Sequence, residues 1–385
     1  MRSEQIRWIP RFGWQLETCQ LPVADKVQLV LLFGDVEYIC DPARFAELRN
    51  RYAHALIVGC SSMGTILEKR LYDDTLVATA IQFDTTTVRL VSRSDLRTAD
   101  ATREAAAEIV ADLQDADQGL FHVFMFADGF LSGAAIVSGV QSAGRVPVTG
   151  GQAGDYYTRE RDMRTAVCAN NPGESRQIVG LGFYGRDTSV YYGSATGWEP
   201  FGIERTITRA ENNTVFEIDG EPALDLYRRY LGEHAGQLPM ISLQYPLGLQ
   251  NERGEYTVRS VRNVNTADQS LVFAGDIPVG TKVRFMKTEV DNLIRAGSKT
   301  ANESHLKETA DLVFVVSCAG RRFVMNRLTE EELEAVDGAV GAGAIIGGVY
   351  SFAELAPSSR VNPCDLHNQT ITLTMFRETG PRFDK

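Results

Sequence analysis

Several features that mark large protein classes are missing from this chain. No stretch holds 18 consecutive apolar residues, so a membrane-spanning helix is not expected. The opening run MRSEQIRWIPRFGWQ has no apolar segment and no small-residue cleavage site, which points to a cytoplasmic protein. The six cysteines (Cys19, Cys40, Cys60, Cys168, Cys318 and Cys364) form no CxxC pair and read as reduced thiols. The five histidines are isolated, with no HExxH spacing, so a zinc site is not expected. No GxxxxGK[ST] run is present, which excludes a P-loop. Positive charge is short: 39 Lys and Arg stand against 50 Asp and Glu, a net charge of −11, which argues against nucleic acid or an anionic membrane as partner.

What remains is an ordinary globular balance of 44% hydrophobic and 23% charged residues over 385 positions, enough for two or three domains. The pattern is that of an α+β (mixed α/β) protein with two related domains, each a mixed β-sheet with packed helices. Residues 1–26 carry Trp8 and Trp14 without clear periodicity and read as an N-terminal arm. An N-terminal domain is expected over 27–218 and a second over 219–385, the boundary falling at the Asp219-Gly220 turn. Apolar or alternating runs at 26–33, 54–58, 75–83, 87–91, 119–126, 177–184 and 188–193 predict strands. Residues 41–50 predict a helix with Asp41 as its cap and Pro42 in its first turn. Further helices are predicted over 99–114, 131–141, 221–231 and 329–336, and a closing strand over 370–376.

The two ends of the chain echo one another. Strand 26–33 and helix 41–50 lead to HALIVGCSSMG, then to strand 75–83. Strand 312–316 and helix 329–336 lead to GAIIGGVYSFAE, then to strand 370–376. A repeated βαββ unit follows from that order.

Four stretches could seat a ligand. GGQAGD at 150–155 places Gly150, Gly151 and Gly154 where backbone must come close to another group, and ends on Asp155. The run 59–64 ends a strand and presents Cys60, Ser61 and Ser62. It misses the GxSxG spacing of a nucleophile elbow, so packing, a pocket wall and a hydrolase using Ser61 or Cys60 all stay open. In SCAGRR, Arg321 and Arg322 follow a small-residue turn and could clamp a carboxylate. In LHNQT, His367 and Asn368 put polar groups before the last strand, as a loop cap or as a pocket wall. The GxGxxG match at 180–185 is followed by a turn and a strand, which suits a hairpin and not a dinucleotide site.

These motifs together resemble one family. GCSSMG, GGQAGD, WEPFG, DGEPALDLYRRYLG, YPL, GDIPVG, SCAGRR and HNQT fall in the order seen in FIST proteins, which are bacterial and archaeal and carry an N-terminal FIST and a C-terminal FIST_C domain. The resemblance implies a ligand-sensing module and not an enzyme. It implies a small-molecule ligand such as an amino acid, and signal output through a separate partner. Some members look like non-covalent haem proteins that respond to nitric oxide and regulate a sensor histidine kinase or a cyclic-di-GMP enzyme. In that case His367 or His234 would be the axial ligand. The family's Gly-Glu-Ile stands here as Ala353-Glu354-Leu355, which keeps Glu354. If the ligand is an amino acid, Asp155 would meet its ammonium and Arg321 its carboxylate. Oligomeric state is left open.

Overall fold

A computed structural model describes residues 1–19, 24–116, 119–156, 162–251, 254, 256–306, 310–359 and 361–379. The mixed α/β class expected above is what it shows, and the echo between the chain ends has a third member.

Three six-stranded sheets share one plan. In the first, the central strand Leu29–Gly34 has Leu56–Ser61 parallel on one side and Leu76–Gln82 antiparallel on the other. In the second, Leu120–Ala127 lies between parallel Val148–Gln152 and antiparallel Ile178–Tyr184. In the third, Leu312–Cys318 lies between parallel Ile345–Ser351 and antiparallel Ile371–Glu378. Each parallel pair is joined by helical crossovers, as that connection requires. These are Val36–Ile39 with Pro42–Arg51, then Gly133–Ala143, then Ala319–Met325 with Thr329–Val340. Local sequence sets the starts. Asp35, Asp41 and Ser132 each accept a backbone N–H as side-chain caps.

The three units are stitched in a ring. After its parallel strand, each unit sends a short strand into a neighbour's sheet. Thr65–Leu67 of the first pairs with Ile345–Ser351 of the third, Val167–Ala169 of the second with Leu56–Ser61, and Ala353–Ala356 of the third with Val148–Gln152. Three equivalent backbone bonds close the ring. Met63 N–H donates to the Tyr350 carbonyl at 2.9 Å, Gly154 to Ser61 at 2.9 Å, and Phe352 to Gln152 at 3.1 Å. Inside the ring, Phe33, Phe126 and Phe314 meet with centroid separations of 5.3, 5.3 and 5.8 Å, within the range favourable for aromatic pairs. One glycine per unit is obligatory here. A Cβ on Gly59 would lie 1.7 Å from the Leu32 carbonyl oxygen, on Gly150 2.0 Å from that of Met125, and on Gly348 2.0 Å from that of Val315.

Residues 2–19, expected as an arm, form the strands Arg2–Ile9 and Gly13–Cys19 that extend the first sheet. Between Ala195 and Val290 the chain leaves this body and builds a separate β unit. Strands Glu199–Glu211, Thr214–Ile218, Leu247–Gln250 and Lys282–Lys287 belong to its sheet, with helix Ala223–Leu231 packed on them. The Asp219-Gly220 turn, read as a domain boundary, lies within this unit, and the C-terminal strands return to the body. The SCAGRR run is also not a turn. Cys318 is extended (φ −70°, ψ 136°) and immediately precedes helix Ala319–Met325, because alanine and arginine favour a helix once the strand ends.

Candidate functional site

The residues singled out from sequence fall in three places. Cys60, Ser61, Ser62, Gly150, Gly151, Gly154 and Asp155 surround the ring at the centre of the body. Cys60 packs in the aromatic core, and burial pushes its thiol up. Ser61 Oγ accepts the Ala166 N–H at 3.1 Å, and the hydroxyls of Ser62 and Thr65 are 3.0 Å apart. Neither Cys60 nor Ser61 hydrogen-bonds a histidine among the described residues. Asp155 is 2% exposed and its Oδ2 accepts the Arg164 N–H at 2.7 Å. It lines none of the clefts named below.

Arg321 is fully buried. Its Nε donates to Glu332 Oε1 at 3.0 Å, its Nη2 to the Leu293 carbonyl at 2.8 Å, and its Nη1 to the Gln369 carbonyl at 3.2 Å. The expected clamp for a ligand carboxylate is thus spent on the protein's own carboxylate.

Glu354, His367 and Asn368 do come together. Gly151, Glu354 and His367 stand in one row across adjacent strands of the second sheet. Glu354 is buried, accepting from Ser351 Oγ at 2.9 Å and from Thr370 Oγ1 at 2.8 Å. Burial outweighs these bonds and raises its carboxyl to about 7. His367 Nε2 is 2.9 Å from the Ala356 carbonyl, and burial lowers its pKa. Because the ring is neutral and that contact requires a donor, Nδ1 is left as an acceptor. Asn368 is 1% exposed with neither amide atom partnered among the described residues.

Above this row the inserted β unit faces helix Gly133–Ala143 across two adjoining clefts of about 550 and 260 Å³. The larger is lined by the start of that helix, by Gln152, and by Arg262 and Asp276 from the inserted unit. Ser132 Oγ takes the Ala135 N–H at 3.2 Å, and the Gly133 and Ala134 amides ahead of it in the 11-residue helix have no intrahelical partner. Gln152 donates to the carbonyls of Asp128 (3.2 Å) and Leu131 (2.9 Å), which fixes the loop before the helix. Arg262 lies 5.9 Å over the Phe352 ring and donates to the Gly129 carbonyl at 3.4 Å. No carboxylate is within ion-pair distance of it among the described residues. Burial lowers its pKa but leaves it a cation.

A wider cleft of about 860 Å³ lies between the first two units. Most of its charged groups are already engaged, Arg97 with Asp95 among them, although the Arg176 side chain has no ion-pair partner among the described residues. Asp128 accepts from Phe130 N, Thr165 Oγ1 and Arg176 N, and Arg164 pairs with Glu37.

Neither Arg262 nor Asp276 stood out in the sequence as a site. Asp276 lies in GDIPVG, which carried only resemblance, and Arg262 sits in RSVR, with Glu255 and Asp268 the nearest acids along the chain. The local charge is balanced, so the sequence offered no signal for either residue.

The FIST N domain matches residues 28–221 and the FIST C domain matches residues 223–357. The chain belongs to the FIST family. FIST domains are associated with sensory signal transduction. An uncharacterized protein of Methanocaldococcus jannaschii is 29% identical over 154 residues, an alignment covering 35% of this FIST chain and 28% of that protein. A chorismatase crystal structure aligns over 97% of the chain and 98% of its own, at 10% identity and TM-score 0.35. A cyanuric acid hydrolase aligns over 97% and 98%, at 8% identity and TM-score 0.37. Likeness at that level says nothing of activity here.

The FIST resemblance raised haem, and the residues present do not fit it. His234 is exposed on the inserted unit, and His367 has its Nε2 engaged in a small chamber that the charged Arg259, Asp276 and Asp365 also line. Among the described residues no helix is long and apolar enough to cross a membrane.

Proposed function

We propose that this FIST protein is a sensor whose ligand is a free amino acid, held in the cleft between the inserted β unit and the start of helix Gly133–Ala143. The observation that carries this is that Arg262 and Asp276, opposite charges from one unit and not paired with each other, line one cleft beside a helix N-terminus. A cation and free backbone N–H groups suit a carboxylate. A carboxylate lining the same cleft suits an ammonium. The sites first read for these roles, Arg321 and Asp155, give way to Arg262 and Asp276. Output then passes to a separate signalling protein, a histidine kinase or a cyclic-di-GMP enzyme being the class the family resemblance suggests.

Calorimetric titration of the full chain with the common amino acids tests the reading. At least one should bind, and Arg262→Gln and Asp276→Asn should each weaken it by about tenfold or more, as loss of one charge-assisted contact does. Binding unchanged in both variants, or binding of no amino acid, removes the reading.

A further inference from the structure

The second chamber tells which amino acid. It shares Ala134, Ser138 and Asp276 with the larger cleft, so a ligand whose ammonium sits at Asp276 has its side chain directed along the helix into it. There Arg259 is the dominant group. Its Nη1 donates to the carbonyls of Val258 and Leu366, both at 3.1 Å, and its Nε is buried without a partner. Among the described residues it has no ion-pair partner, although Asp276, Asp365 and Glu354 are near enough to bias it. Asp365 is already committed, accepting from the Ser358 N–H at 3.0 Å and from Asn362 Nδ2 at 3.3 Å. A guanidinium with donors to spare, lining a small cleft, is completed by an acceptor oxygen.

We infer that the chamber selects an amino acid whose side chain ends in an acceptor oxygen, a carboxylate or carboxamide of the glutamate and glutamine class, with Arg259 as the specificity-determining residue. The inference rests on the amino-acid reading of the adjoining cleft. An apolar side chain of equal length leaves Arg259 unsatisfied, and a basic one meets a like charge. A site built around a polar contact rejects analogues that lack it much more strongly than an apolar pocket rejects a missing methylene.

The test is a calorimetric comparison of glutamate, glutamine, norleucine and lysine on the full chain. Glutamate or glutamine should bind more tightly than norleucine by about tenfold or more, with lysine weakest. Arg259→Gln should lower that ratio by about tenfold while changing norleucine affinity little. Its melting temperature is recorded alongside, and the wild-type ranking stands as a test whether or not the variant folds. Norleucine or lysine binding as well as glutamate and glutamine overturns the inference and leaves the cleft reading intact. A ratio unchanged in folded Arg259→Gln removes Arg259 from the role. If none of the four and no other amino acid binds, the cleft reading itself falls.

Discussion

Arg321 and Glu332 form an ion pair in which both side chains are fully buried, with Nε 3.0 Å from Oε1. Glu332 Oε2 also accepts from Ser317 Oγ and Tyr350 Oη, each at 3.0 Å. The pair thus ties helix Thr329–Val340 to two strands of the third sheet and to helix Ala319–Met325. Removing one partner strands the other charge away from water, which costs about 3–5 kcal/mol. Arg321→Ala and Glu332→Ala should each lose that much in denaturant unfolding. Arg321→Ala retaining both wild-type stability and defective ligand binding would return Arg321 to the site.

Glycine at the strand crossings and glycine on helix surfaces have opposite expectations. Gly59→Ala forces a Cβ onto the Leu32 carbonyl, so the parallel strands must separate. The loss should exceed about 3 kcal/mol, at the severe end of single substitutions. Gly338 lies exposed in helix Thr329–Val340 with nothing within 4 Å of an added Cβ. Gly338→Ala should raise stability by about 0.5–1 kcal/mol. Unfolding midpoints of the two variants check both signs at once.

Much of the architecture was legible because its signals are local. Apolar runs such as KVQLVLLF and GLFHVFMF fold as central strands, and Asp41-Pro42 caps its helix as the residue types require. The echo between strands 26–33 and 312–316 was visible, but the second unit between them was not. Its helix has a different composition, and its outer strands come from elsewhere in the chain. Which strand completes which sheet depends on pairings between residues as distant as Thr65 and Val349, which no window along the sequence contains. The same holds for the site. Gly151, Glu354 and His367 were each chosen for their own reasons, and only the sheet register puts them in a row. Arg321 misled because a buried arginine and a ligand-clamping arginine look alike until partners such as Glu332 are placed. Arg262 and Asp276 acquire meaning only from the helix opposite them.

Glu354 should give stability a falling limb towards alkaline pH. Its carboxyl is raised from 4.5 to about 7 in the folded protein, chiefly by burial. Between these values the folded state keeps a proton that the unfolded chain has released. Stability therefore falls as pH rises through this window, by on the order of 3 kcal/mol once pH exceeds 7. Glu354→Gln keeps the shape and cannot ionise. It should resemble wild type near pH 4.5 and exceed it at pH 8. A stability difference that stays constant from pH 4.5 to 8 would show that Glu354 is not held protonated.

His122 sets the opposite limb. Its ring is fully buried beside Phe124, Phe183, Tyr192 and Phe376. Thr374 donates its hydroxyl to Thr149 at 2.8 Å, and Thr149 Oγ1 in turn lies 2.8 Å from His122 Nε2. Nδ1 has no partner. Burial lowers the pKa from 6.5 to about 3. Below pH 6.5 the unfolded chain gains a proton that the folded state refuses until about pH 3. Stability is thus complete above 6.5 and falls across that window by on the order of 5 kcal/mol. His122→Phe keeps an aromatic ring among the same neighbours and leaves the two threonine hydroxyls bonded to each other. It should change stability at pH 8 by less than about 1.5 kcal/mol and flatten the acid limb between pH 6 and 4. Other groups also contribute at low pH, Glu378 among them, whose carboxyl is held down to about 2 by hydrogen bonds from residues 84–86. Its window lies below 4.5, so the difference between wild type and His122→Phe at pH 5 isolates the histidine. Equal stability loss in the two proteins from pH 6 to 5 would mean that the buried ring takes up its proton without cost.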